Sequence, residues 1–218
     1  MVNDNEQNEK GILRRRSAGE AVGEVAENPN QKIMQDVLSS IMAKATKPDQ
    51  GEVTNLGQLK KMNMPVGWQP GPDYSQRQHS GSYQEFHPAG DPECQLGFYY
   101  RGRRTSEAAG ENFHNVLSRP PHALSEGEYM SLKEVLRDKA KQPEDFMVRA
   151  ARTEDLNGKR VLVVEGRYTG NQNDSKHIFI DSDGSGTAVQ EIFFQAPKDK
   201  FGAFIGEANQ AMHTARWR

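Results

Sequence analysis

The chain has 218 residues, 28 Lys and Arg against 30 Asp and Glu for a net charge of −2, and one cysteine. That length suits one ordinary domain with additional chain, the lone Cys94 excludes an intrachain disulfide and fits a reducing compartment, and the balanced charge gives no nucleic-acid footprint. No apolar run reaches transmembrane length.

The first fifty residues are rich in Asn, Gln, Glu and Lys and hold no aromatic residue. Such a stretch cannot offset its ordering entropy by burial, so residues 1–28 read as a disordered tail. Arg14, Arg15 and Arg16 precede SAGEAVGEVAENPN, which is acidic and small rather than the apolar core of a secretion signal. A cytoplasmic location is expected, with non-classical export left open. Within residues 29–47 the spacing predicts an amphipathic helix, opened by Asn28-Pro29 and closed by Pro48. Its apolar stripe is Ile33, Met34, Val37, Leu38, Ile41 and Met42, and these are the candidate partner-binding residues. Residues 48–63 read as linker, and the folded domain is expected over 64–218.

That domain opens at MPVGW, with a short strand expected at SYQEF. CQLGFYYRGR alternates, with Cys94, Leu96, Phe98 and Tyr100 on one face and Gln95, Gly97 and Tyr99 on the other, as a half-buried strand does. Residues 105–117 suit a short helix. LSEGEYMSLKEVLRDKAKQPED reads as another, with Ser125 and Glu128 at capping-box spacing and Pro143 closing it. Strands follow at 146–153, 160–168, 177–181 and 188–195, with a tight turn at Asn157-Gly158 and the polar stretch TGNQNDS as a connection. A final helix is expected from Pro197 to Trp217. The fold class is α+β: an antiparallel meander packed by helices, behind a disordered tail that carries one amphipathic helix.

The order of elements, the entry MPVGW, the stretch LNGKRVLVVEGRY, the pair HIFID…VQEIFFQAP and the closing HTARW resemble the PsbP/DcrB-type α/β/α sandwich group over about residues 64–217. The resemblance rests on architecture and hydrophobic texture. It implies a binding, accessory or lipoprotein domain rather than an enzyme. Bacterial members often carry an export signal or a lipobox cysteine, and neither is read here.

DSDGSG, residues 181–186, matches the opening of a calcium loop at Asp181, Asp183, Ser185 and Gly186, but the twelfth position is Ile192 where a bidentate Glu is needed. Strand-like flanks and two glycines favour a hairpin turn; a calcium site on Asp181 and Asp183 is the alternative. His79, His87, His114, His122, His177 and His213 show no zinc spacing, and Cys94 at an alternating position suits a small core residue. Arg101, Arg103 and Arg104 beside Tyr99 and Tyr100 form a candidate anion site, weighed against a solvated strand end. No catalytic set and no cofactor motif emerges. The expectation is a non-enzymatic binding or adaptor protein with a protein partner. Its rivals are an enzyme assembled from the loops at 68–91, with His79 or His87 in its site, and a substrate of a specialised bacterial secretion system.

Overall fold

The computed structural model describes residues 51–72, 83–141 and 144–218, with Arg101 described by its backbone alone. The amphipathic stripe of residues 33–42, the tail before it and His79 lie outside the described residues. All described residues belong to one unit, Pro48–Arg218. Its elements in order are strands β1 (Glu52–Leu56), β2 (Leu59–Asn63), β3 (Trp68–Pro70), β4 (Tyr83–Pro88) and β5 (Gln95–Arg104). Helices α1 (Glu107–Ser118), α2 (Glu126–Ser131) and α3 (Lys133–Leu136) follow, then a 3-10 turn (Arg137–Ala140). Strands β6 (Phe146–Leu156), β7 (Lys159–Tyr168), β8 (Asn173–Asp181) and β9 (Ala188–Pro197) lead to helix α4 (Lys198–Met212) and a short β10 (Arg216–Trp217).

The architecture is α+β, as the sequence pattern implies. Seven strands form one sheet in the order β3-β4-β5-β9-β8-β7-β6, and β1-β2-β10 form a small second sheet. Every named pair is antiparallel. Because side chains alternate along each strand, the large sheet buries two separate apolar sets. On one face Leu96, Phe98, Val163, Ile178, Ile192 and Phe194 pack with Ala208 and Met212 of α4 and with the β1-β2 hairpin. On the other, Leu162, Val164, Phe179 and Phe146 pack under Phe113 of α1 and Leu132, Val135 and Leu136 of α2 and α3.

Local signals act where the sequence places them. Ser125 and Glu128 form a reciprocal capping box at α2, and Asn157 and Gly158 take positive φ in the β6-β7 turn. The Asn157 amide also donates to the carbonyls of His213 and Ala215, which ends α4. The closing helix therefore stops at Met212 rather than Trp217, and its last residues cross to β2 as β10.

Three assignments are corrected. Residues 48–63 are not linker: they hold the β1-β2 hairpin, whose Val53, Leu56, Leu59 and Met62 are buried against the core. Only two apolar residues per strand, set among Lys, Glu and Thr, mark it in the sequence. The polar connection 169–175 is half strand, since β8 begins at Asn173; there Asp174 is buried because Arg167 and Arg149 neutralise it. The stretch 125–141 is broken rather than continuous. Leu132 leaves helical geometry, and Arg137 takes φ 58° and ψ −120°, a conformation costly for a residue with a Cβ.

Gly57 shows how the hairpin is fastened. Its φ is +60°, and a Cβ there would meet the Gln190 amide and lie 2.2 Å from the Tyr100 carbonyl oxygen. Beside it the Gln58 N–H donates to Gln190 Oε1 at 2.9 Å, and Gln190 Nε2 donates to Tyr100 O. We expect Gly57→Ala to cost about 2–4 kcal/mol, from strained backbone plus overpacking. Urea unfolding measures it, and a loss under half a kcal/mol would mean that the hairpin is not part of the cooperative core.

Candidate functional site

Helices α1–α3 cover only part of their face of the sheet. The remainder is a cleft of about 760 Å3, floored by β4, β5, β9, β8 and β7 and walled on one side by residues 137–141. The floor residues follow from register: Tyr83 opposes Tyr99, Gln95 opposes Gln195, Gly97 opposes Phe193, and His177 opposes Phe193 from the other side.

At the inner end lies a buried polar chain. Lys139 Nζ is 3.1 Å from Glu191 Oε1 and 3.0 Å from Asp138 Oδ1. Glu191 Oε1 is 2.7 Å from His177 Nδ1, and His177 Nε2 is 3.0 Å from Ser175 Oγ. Burial works against an ionised Glu191, but the Lys139 ammonium and the His177 hydrogen bond outweigh it and hold the carboxyl at about 2. Burial, with the Lys139 charge, pushes the His177 imidazole below its ordinary value. The ring is therefore neutral at pH 7: Nδ1–H donates to Glu191 and Nε2 accepts from the Ser175 hydroxyl, a tautomer assigned from the network. Burial also opposes the Lys139 charge, yet Glu191 and its neighbours raise that ammonium. The Tyr129 hydroxyl donates to the Lys139 carbonyl at 2.6 Å and fixes the turn that carries it. Burial raises the Tyr168 hydroxyl, which reaches within 3.5 Å of His177 Nε2.

Ser175, His177 and Glu191 have the connectivity of a nucleophile, a base and its orienting acid. The setting is wrong for that chemistry. Ser175 and His177 are each 1% exposed, and the Ser175 side chain does not line the cleft. The outer half has a different character. Tyr83, Tyr99 and Phe193 stand with centroids 4.8–6.3 Å apart and planes within 34° of one another. Gly97 makes this possible: a Cβ there would lie 2.4 Å from Phe193 Cζ, so the ring lies across the bare glycine. Tyr99 is 47% exposed. The Gln195 amide donates to Gln95 Oε1 at 2.9 Å, and Arg137, exposed at the rim, has no ion-pair partner among the described residues.

The candidate sites of the sequence fall elsewhere. Arg103 donates to the Val135 carbonyl at 2.7 Å and Arg104 lies 3.2 Å from Asp183, so these two do not converge on one anion; the Arg101 side chain is outside the described residues. DSDGSG joins β8 to β9 as a hairpin, with Gly184 and Gly186 at positive φ. Asp181 accepts the N–H groups of Asp183 and Gly184, and Asp183 accepts from Ser185, Thr187 and Arg104. Among the described residues no group of three or more His, Cys, Asp or Glu is placed to hold a metal ion. His87 lies on β4 with Nδ1 3.0 Å from the Pro88 carbonyl and does not line the cleft. Cys94 is fully buried in the core, and burial pushes its thiol up to about 11. Sequence reasoning missed Ser175, His177, Glu191, Phe193 and Gln195. The available signal was their i, i+2 spacing on two adjacent strands, opposite the apolar face.

No family model matches the chain, and no curated protein matches it. Its fold has a weak resemblance to PsbP-like structures. The solution structure of cyanobacterial PsbP (CyanoP) from Synechocystis sp. PCC 6803 superposes with a TM-score of 0.46 at 10% identity, over 77% of this chain and 92% of that one. A protein of Bacteroides thetaiotaomicron VPI-5482 gives 0.41 at 14%, over 78% of this chain and 49% of that one. LpqN of Mycobacterium tuberculosis, described as involved in cell envelope biogenesis, gives 0.36 at 14%, over 78% and 86%. No helix among the described residues is long and apolar enough to cross a membrane. The likeness is one of chain path only.

Removing Lys139 should expose the cost of the charge it balances. Lys139→Met leaves Glu191 buried without its cation, and we expect a loss of about 3–5 kcal/mol in urea unfolding. In the native protein, stability should fall with acid in two stages. Below about 6.5 the unfolded His177 takes a proton that the folded ring resists. Between about 4.5 and 2 the stabilisation from ionised Glu191 is lost as well. Unfolding free energies that are flat from pH 7 to 4 would contradict this placement of the charges.

Proposed function

We propose that the chain is a non-catalytic binding protein whose domain holds a small ligand in the open half of its sheet. One observation carries the reading: Lys139, Glu191 and His177 are engaged with one another in the buried end of the cleft, while its outer half presents the half-exposed Tyr99, a glutamine pair and the exposed Arg137. Catalysis needs a nucleophile or base in contact with substrate. The chain of that kind beneath the cleft, Ser175–His177–Glu191, is 1% exposed at its first two members. A concave site of about 760 Å3 with a few convergent polar groups has the dimensions of a small-molecule pocket.

The test is ester hydrolysis by the full chain, with p-nitrophenyl acetate as probe. Native protein and Ser175→Ala should release p-nitrophenol at the same rate, no faster than a matched inert protein. A native rate ten times that of the variant would replace this reading with a hydrolase.

In the same reading the stripe Ile33, Met34, Val37, Leu38, Ile41 and Met42 meets a protein partner. Its support is the cost of leaving such a stripe in water, about 1.5–3 kcal/mol per fully buried large side chain, together with the adaptable methionines. A chain beginning at Asp49 should keep its melting temperature to within about 2 °C, since roughly 1 kcal/mol shifts a domain of this size by 2–4 °C. It should also lose the partner that full-length protein retains in pull-down. A drop of 10 °C would assign the stripe to the core of its own domain.

A further inference from the structure

Resting on the reading of the cleft as a ligand site, we propose that its ligand is a neutral saccharide. The first reason is charge. The lining holds three cations, Arg137, Lys139 and Lys141, against three acids, Glu85, Asp138 and Glu191. Lys139 is spent on Glu191 and Asp138, and Lys141 pairs with Asp145 at 3.3 Å. An anion entering the cleft meets the acids and a cation meets Arg137, so neither sign gains a field that concentrates it.

The second reason is the division of the lining into a flat apolar surface and a rim of mixed donors and acceptors. The half-exposed Tyr99, stacked on the buried Phe193 where that ring lies across Gly97, offers its ring to the flatter side of a sugar ring. Around them the Gln95–Gln195 pair leaves the Gln95 amide hydrogens and the Gln195 carbonyl oxygen without partners among the described residues. Arg137 supplies donors only, and Asp138, its side chain 44% exposed, supplies acceptors only. A ligand that satisfies all of these must both donate and accept along its edge. Hydroxyl groups do both, and a sugar ring carries several of them around an apolar face.

The third reason is Gly97 itself. A side chain there would lift Phe193 off the sheet and break the ring surface while leaving the polar rim intact. The position separates stacking from hydrogen bonding in a single substitution.

The experiment is a titration of the 15N-labelled full chain, by NMR and calorimetry, with trisaccharides of glucose and of N-acetylglucosamine, and with benzoate and adenosine as flat non-sugar probes. At least one trisaccharide should shift the signals of Gln95, Tyr99, Phe193 and Gln195 saturably. Tyr99→Ala and Gly97→Ala should each weaken it about tenfold, the loss of one ring contact. Gln95→Ala, on the rim, should weaken it without moving Phe193, which controls for a general loss of fold. Saturation by benzoate or adenosine and by neither trisaccharide would overturn the saccharide assignment and leave the ligand cleft standing. Shifts by no probe, or shifts confined to residues outside the cleft, would overturn it outright.

Discussion

A carboxylate in the middle of a sheet has to be matched by a cation, and the contact between Glu191 and Lys139 governs the shape of this domain. Glu191 sits on β9 between β5 and β8, with its residue only 9% exposed. Unpaired, it would cost several kcal/mol. The matching ammonium comes from the 3-10 turn after α3, and the chain must leave helical geometry to deliver it. Arg137, at φ 58° and ψ −120°, marks where it does so. A backbone in that region costs on the order of 1–3 kcal/mol, less than the 3–5 kcal/mol typical of a broken buried pair. The pair therefore wins, and the strained residue stays at the cleft rim.

The same contact decides where the cleft lies. α1–α3 cover the sheet above Leu162, Val164 and Phe179, where the floor is apolar. They end where it becomes Glu191, His177, Tyr99 and Gln195, which offer a helix stripe of Leu and Val little apolar surface to bury. On the opposite face the β1-β2 hairpin and α4 leave no such boundary, since Leu96, Phe98, Ile192 and Phe194 run across the central strands. One sheet thus carries a closed apolar face and a face split into core and cleft.

Legibility in the sequence followed how local each cause was. The β6–β9 meander, the capping box at Ser125 and the Asn157-Gly158 turn depend on alternation or on residues a few positions apart, and they could be read. The β1-β2 hairpin could not, because Val53, Leu56, Leu59 and Met62 are too sparse for a strand pattern and are held by Gln190 from far along the chain. Asp174 and Ser175 read as connection because they are polar, and Lys176 falls just before the expected strand. They are buried in β8 because Arg149, Arg167, His177 and Asn209 reach them from elsewhere. The cleft stayed invisible for the same reason: its floor combines positions 83–99 with 168–195, and only register brings them together.

The polar chain in the floor also keeps the cleft open. His177 stacks on Phe179 and Phe193, with centroids 6.2 and 5.6 Å away, so it fills space as an aromatic residue would. Its two nitrogens meanwhile connect Glu191 to Ser175, and no buried side-chain nitrogen or oxygen among the described residues lacks a partner. Satisfied in this way, the network has no need of a helix above it. An apolar set at those positions would draw the 137–141 segment down over the sheet to exclude water, and the space would close. A floor whose polar groups are already paired gains little from being covered, so the cleft can remain solvated beside an exposed Tyr99 without cost to the fold.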